Sequence, residues 1–74
     1  MKKYKVVAKN EIMDAEINVD DYCYDAVAIF NDFKNSGLYT QVYIMDNETG
    51  ELYRTFDVQA DGTGITLVQW AKVF

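Results

Sequence analysis

The stretch YIMDNETGELYRTF, residues 43 to 56, looks more like a binding site than any other in the chain, with acids, an amide and a glycine set between two aromatic-rich runs. A calcium loop of the EF-hand kind needs oxygen ligands at positions 1, 3 and 5, a glycine at 6 and a carboxylate at 12. Aligned on Gly50, position 1 is Met45 and position 12 is Phe56, so the pattern fails. Asp46, Asn47, Thr49 and Gly50 are what a tight hairpin turn requires: short polar side chains that bond local backbone, then a glycine free to take positive φ. The second glycine pair, in DGTG at 61 to 64, precedes strand-like residues, whereas a phosphate cradle leads into a helix. It too reads as a turn.

The other players of common chemistry are missing or badly placed. The chain has no histidine, which removes histidine-based triads, dyads and zinc sites. Cys23 falls on an apolar helix stripe, where a thiol is inert packing. Ser36, the only serine, falls at a helix C-terminus, where the dipole opposes an oxyanion. No pair of carboxylates has a cleft implied around it. The expectation is a protein that is not an enzyme and has no cofactor or metal.

The elements that hold these residues are legible from periodicity. Tyr4 to Lys9 and Glu11 to Ile17 read as two strands, or one bent strand, broken at Asn10, with Met13, Ala15 and Ile17 on one face. In NVDDYCYDAVAIFNDFKNSG, Val19, Tyr22, Cys23, Ala26, Ile29, Phe30 and Phe33 share about a third of a helical wheel. Asn18 is the predicted N-cap, with Asp20 as the alternative, Ile17 and Tyr22 form a hydrophobic staple, and Gly37 is the C-cap. Leu38 to Asp46 and Glu51 to Val58 form a hairpin, and ITLVQWAKVF supplies a further strand of a meander, with a short helix as the alternative. The fold class is α+β: a single amphipathic helix packed on an antiparallel sheet of four to five strands, in the order β-β-α-β-β-β.

Seventy-four residues form one small domain, and an apolar half is too hydrophobic for disorder despite a net charge of -5. MKKYK has no apolar segment behind it, no run of about 20 apolar residues is present, and a lone cysteine suits a reducing compartment. A cytoplasmic protein without membrane contact is expected.

Charge is segregated along the chain. Seven acids and no bases lie between Asn10 and Phe33, while four of the seven basic residues precede Asn10. Asp21, Asp25 and Asp32 line the outer face of the helix, about 6 and 10.5 Å apart along the axis, with Tyr24 and Asn31 beside them. Such a ridge complements a basic groove. Lys2, Lys3 and Lys5 with Tyr4 suggest nucleic-acid contact, but a pI near 4.4 disfavours direct phosphate binding, and lysines that blunt an edge strand or a tail explain them. The sheet faces are also mixed: Tyr43, Tyr53 and Trp70 leave neither cleanly polar, and one helix covers only one of them. The sequence therefore predicts a protein-interaction module that binds a protein partner with a basic surface. Its most concrete form is an acidic inhibitor of a nucleic-acid-binding surface, in the manner of phage anti-defence proteins such as anti-CRISPRs, an analogy of size, charge and missing catalysis. The alternative is a homodimeric structural or regulatory domain that uses the aromatic sheet face.

Overall fold

A computed structural model describes residues 2 to 20 and 23 to 68, with Cys23 and Tyr24 described by their backbone alone. In chain order the elements are β1 (Tyr4–Lys9), β2 (Asp14–Val19), α1 (Cys23–Ser36), β3 (Gln41–Asp46), β4 (Leu52–Val58) and β5 (Gly64–Val68). This is the predicted α+β fold. All neighbouring strands are antiparallel, in the order β2-β1-β3-β4-β5.

The N-terminal strand is therefore central, which corrects the expectation that its lysines blunt an edge. Val6, Val7 and Ala8 are all buried, so both faces of β1 are apolar at mid-strand, and such a strand is stable only between neighbours. β2, with Asp14 and Glu16, takes the edge instead. β1 lies antiparallel between β2 and β3, which run parallel to each other, and α1 makes the crossover between those two. The break between β1 and β2 is at Asn10, whose Oδ1 accepts from the N–H groups of Ile12 and Met13 at 2.8 Å each. Met13 belongs to that turn and is exposed, not on a strand face with Ala15 and Ile17.

α1 packs on β1 and β3 and reaches β2. Ala26 and Phe30 are fully buried, and Val27, Ile29 and Phe33 flank them, so the predicted helical phase is correct. The C-terminus is closed by Gly37 at φ 74°, while the Ser36 hydroxyl donates to the Phe33 carbonyl at 2.7 Å. The predicted cap at Asn18 is wrong, while the alternative, Asp20, adjoins residues 21 and 22, which lie outside those described. Asn18 pairs with Lys5 and Val19 with Tyr4, so β2 continues through both residues. Pairing beside Tyr4 buries Val19, and that burial outweighs the local signal for a cap at Asn18. Ile17 lies within the strand, and Tyr22, its predicted staple partner, falls outside the described residues.

Below the helix, Tyr4, Val6, Ala8, Val42, Ile44 and Phe56 complete the core. Two devices adapt β4 to it. Ile44 pairs with Arg54 but Met45 pairs with Leu52, so Tyr53 is the extra residue of a β-bulge. Strict alternation would place Tyr53 on the face of Thr55; the bulge brings it into the core, 4% exposed and edge-to-face with Tyr4 at 5.7 Å. Farther along, the Phe56 ring covers Gly64 of β5 so closely that a Cβ there would sit 2.5 Å from Phe56 Cε1.

Phe30 is the largest fully buried side chain among the described residues, and the domain is small. Phe30→Ala is expected to cost about 3–5 kcal/mol and to abolish the cooperative urea transition followed by circular dichroism. A native-like midpoint in that variant would show that the helix is not seated as described.

Candidate functional site

The hairpin turn that looked most like a site holds a buried carboxylate. Asp46 ends β3 in phase with Val42 and Ile44, so its side chain faces the core, and it is the only buried charged residue among those described. Oδ1 accepts from the N–H of Glu48 at 2.7 Å and of Thr49 at 3.1 Å. Oδ2 accepts from the Tyr53 hydroxyl and from Lys3 Nζ, the latter at 3.1 Å. The Tyr53 bond foremost, then these N–H groups and Lys3, hold the carboxyl well below the usual range against the opposing effect of burial. Burial foremost, then the bond to Asp46, pushes the Tyr53 phenol above its ordinary value, and the Asp46 contact raises Lys3. Gly50 closes the turn at φ 77°, its N–H donating to the Asp46 carbonyl at 2.9 Å.

Four donors from the turn, from β4 and from the residues before β1 converge on Asp46, so the carboxylate ties these segments together as a structural clamp. Asn47 extends the clamp: its N–H donates to the Lys3 carbonyl and its Nδ2 to the Lys2 carbonyl, both at 2.9 Å, and Nδ2 also reaches Asn18 Oδ1 at 3.2 Å. The sequence signal for a buried Asp46 was its even spacing from Val42 and Ile44; turn chemistry at the same residue masked it.

The second turn also contains no cradle. Gly62 stands at φ 88°, Thr63 N–H donates to Asp61 Oδ1 at 2.9 Å, and the chain runs directly into β5. That backbone bond, foremost, lowers the Asp61 carboxyl.

Of the residues expected to meet a partner, Asp25, Asn31 and Asp32 are exposed on the outer helix face with Ala28 among them. Asp21, Trp70 and the side chains of Tyr24 and Cys23 lie outside what the structure describes. Tyr53 is a core residue and leaves the candidate surface. Tyr43 does sit on the sheet face opposite the helix, half-buried, with Lys9 Nζ 5.8 Å from its ring centre. That face is a patchwork. Lys5, Lys9, Glu16, Asn18, Gln41 and Asp57 alternate across it with Val7, Tyr43, Met45 and Leu52.

The segregation of charge along the chain largely disappears in space. Pairing the basic β1 with the acidic β2 sets Lys5 4.0 Å from Glu16 and Lys9 opposite Asp14, and Lys2 reaches Asp20 at 3.0 Å. With Lys3 on Asp46, Lys2, Lys3 and Lys5 are engaged with acids and Lys9 with the Tyr43 ring. The remaining described cations lie over aromatics: Lys34 Nζ 5.6 Å from the Phe56 ring centre and Arg54 Cζ 5.6 Å from that of Phe30. Asp25 and Asp32 have no basic partner among the described residues. An open groove of about 400 Å³ borders this face, between the end of β2 and the first half of α1, lined by Lys2, Asn18, Asp20, Asp25, Ala28 and Ile29.

Among the described residues no helix is long and apolar enough to cross a membrane. No protein-family model, curated protein or solved structure matches the chain.

The clamp makes stability depend on pH in a defined sense. Asp46 is depressed on folding, so its contribution is present above the unfolded value of about 3.9 and is lost as pH falls toward the folded one. Tyr53 is raised, so its contribution is present below about 10 and is lost as pH rises toward its folded value. Urea midpoints across pH are expected to plateau between those limits and fall outside them. Asp46→Asn should lower the plateau by about 1–3 kcal/mol and flatten the acid limb. An acid limb parallel to that of the wild type would show that Asp46 is not the group responsible.

Proposed function

We propose that the chain is a non-enzymatic protein-interaction module whose acidic helix face binds a basic surface on another protein. In its most concrete form it is an inhibitor that occupies the surface where that partner would bind nucleic acid, the mode of action suggested by the analogy to anti-defence proteins. The observation that supports this reading is the disposition of charge: each described lysine or arginine is engaged by an acid or a ring within the fold, whereas Asp25 and Asp32 face outward without one. Asp25 and Asp32 thus project negative charge from the helix side of a chain whose net charge is -5. Such a field steers a basic partner into position and gives specificity through charge pattern. Asn31 and Ala28, also exposed, leave room for close approach, and the groove beside Asp25 and Ile29 accepts a long basic side chain with an apolar stem.

The test is affinity capture from lysate of the native host at low and high salt, with wild type and an Asp25→Asn, Asp32→Asn variant. Binding of the captured partner should weaken several-fold in the variant and its association rate should fall as salt rises, because steering acts over a Debye length of about 10 Å at 0.1 M. The variant should fold normally, since both positions are exposed. A captured partner that binds wild type and variant alike, at a rate indifferent to salt, would remove the acidic face as the working surface.

A further inference from the structure

Ile12 is the most exposed large apolar side chain among the described residues, at 91%, and Leu38 at 65% and Met13 at 50% stand near it. Single exposed hydrophobes need no explanation, but these three are held together. Asn10 makes the junction: its Oδ1 accepts from the N–H groups of Ile12 and Met13, its N–H donates to the Met13 carbonyl at 3.0 Å, and its Nδ2 donates to the Leu38 carbonyl at 2.9 Å. Beside it, Thr40 N–H donates to the Lys9 carbonyl at 2.9 Å and ties the same two connections. Tyr39 packs inward, edge-to-face with Phe33 at 5.3 Å, and leaves Leu38 outside. The result is a braced apolar tip.

Local chemistry does not account for it. Turns favour Gly, Asp, Asn or Ser at their centre, whereas the turn from Asn10 to Met13 has Glu11 and Ile12 there. The core makes no use of the three side chains either, since none of them packs against it. All three connections at this end of the sheet, residues 10 to 13, 37 to 40 and 59 to 63, are described. β5 stands at the far edge from the Asn10 turn and runs away from this end.

The charges around the tip define what it fits. Glu11 and Asp14 are exposed, neither forms an ion pair among the described residues, and residues 10 to 14 and 37 to 40 contain no cation. A second copy would set these acids against their own kind, and lipid phosphates would meet the same repulsion. A concave apolar pocket with basic residues at its rim complements both features. We infer that Ile12, Met13 and Leu38 anchor in such a pocket on the basic partner protein, with Glu11 and Asp14 facing cations at its rim. The inference rests on the acidic-helix reading for the partner's charge, and the two contacts adjoin: Asp32 lies about one helical turn before Ser36, and Leu38 follows two residues on. The helix face steers the partner, and the tip supplies the buried anchor that sets residence time.

Methyl and amide NMR of the full chain, titrated with octyltrimethylammonium below its micelle-forming concentration, tests the recognition chemistry without the partner. Ile12, Met13 and Leu38 should shift together and saturate, while octyl sulfate, with the same tail and the opposite head, should bind more weakly. Ile12→Ser with Leu38→Ser should remove the response and keep the circular dichroism spectrum. Glu11→Gln with Asp14→Asn should raise the probe Kd about threefold or more, whereas Asp25→Asn with Asp32→Asn, an equal change in net charge, should leave it unchanged. Toward the captured partner, the tip variant should speed dissociation about tenfold and leave the association rate, the reverse of the helix variant. Equal effects of the two charge pairs, equal binding of the two probes or shifts centred elsewhere would overturn the inference. So would uptake of the tip by phosphatidylcholine vesicles or by a second copy as the chain is concentrated. A captured partner that responds to the tip variant and not to the helix variant would keep the tip and remove the acidic helix face.

Discussion

The Asp46 carboxylate is the interaction on which the remaining architecture depends. A charge buried at the end of a central strand is tolerated only when its oxygens are filled, and four donors fill them: two turn amides, the Tyr53 hydroxyl and the Lys3 ammonium. The donors belong to three different structural decisions. The amides fix the β3–β4 turn, Tyr53 requires the bulge in β4, and Lys3 anchors the residues that lead into β1. One carboxylate thereby sets the relative placement of three strands, joining β1 to the distant β3–β4 hairpin. The Asn47 bonds to the Lys2 and Lys3 carbonyls reinforce the same junction.

The same economy governs charge. Lysines in β1 meet acids in β2 because the hairpin folds one run onto the other, and the result is a surface that is mixed where the strands pair and acidic where the helix faces outward. Exposed pairs of this kind contribute little to stability one by one. Their effect is on the field outside the protein: they use the cations that would otherwise offset Asp25 and Asp32.

Much of the fold was legible in the sequence because local periodicity and tertiary burial agreed. The helix stripe of Ala26, Phe30 and Phe33, the Gly37 cap and both glycine turns are cases where each residue has one reading. Errors arose where one residue served two demands. Asn18 is a good cap, but strand pairing through Val19 takes it. Asp46 is a good turn residue, but its place beyond Val42 and Ile44 also buries it. Tyr53 lies on the wrong side by alternation, and only a one-residue bulge, which has no sequence mark here, moves it inward. The central position of β1 was written in its doubly apolar middle, Val6-Val7-Ala8, and obscured by the lysines at either end.

Placing the first strand in the middle of the sheet has a kinetic consequence. The β1–β2 and β3–β4 hairpins close locally and quickly, but the seam between β1 and β3 joins Tyr4 to Asp46 and must enclose the whole helix. That long-range closure, not the formation of any single element, sets the pace of folding. Its innermost rung, Lys9 to Gln41, spans the shortest loop, so loop-closure entropy favours zipping from there toward Asp46, with the buried carboxylate meeting its lysine late.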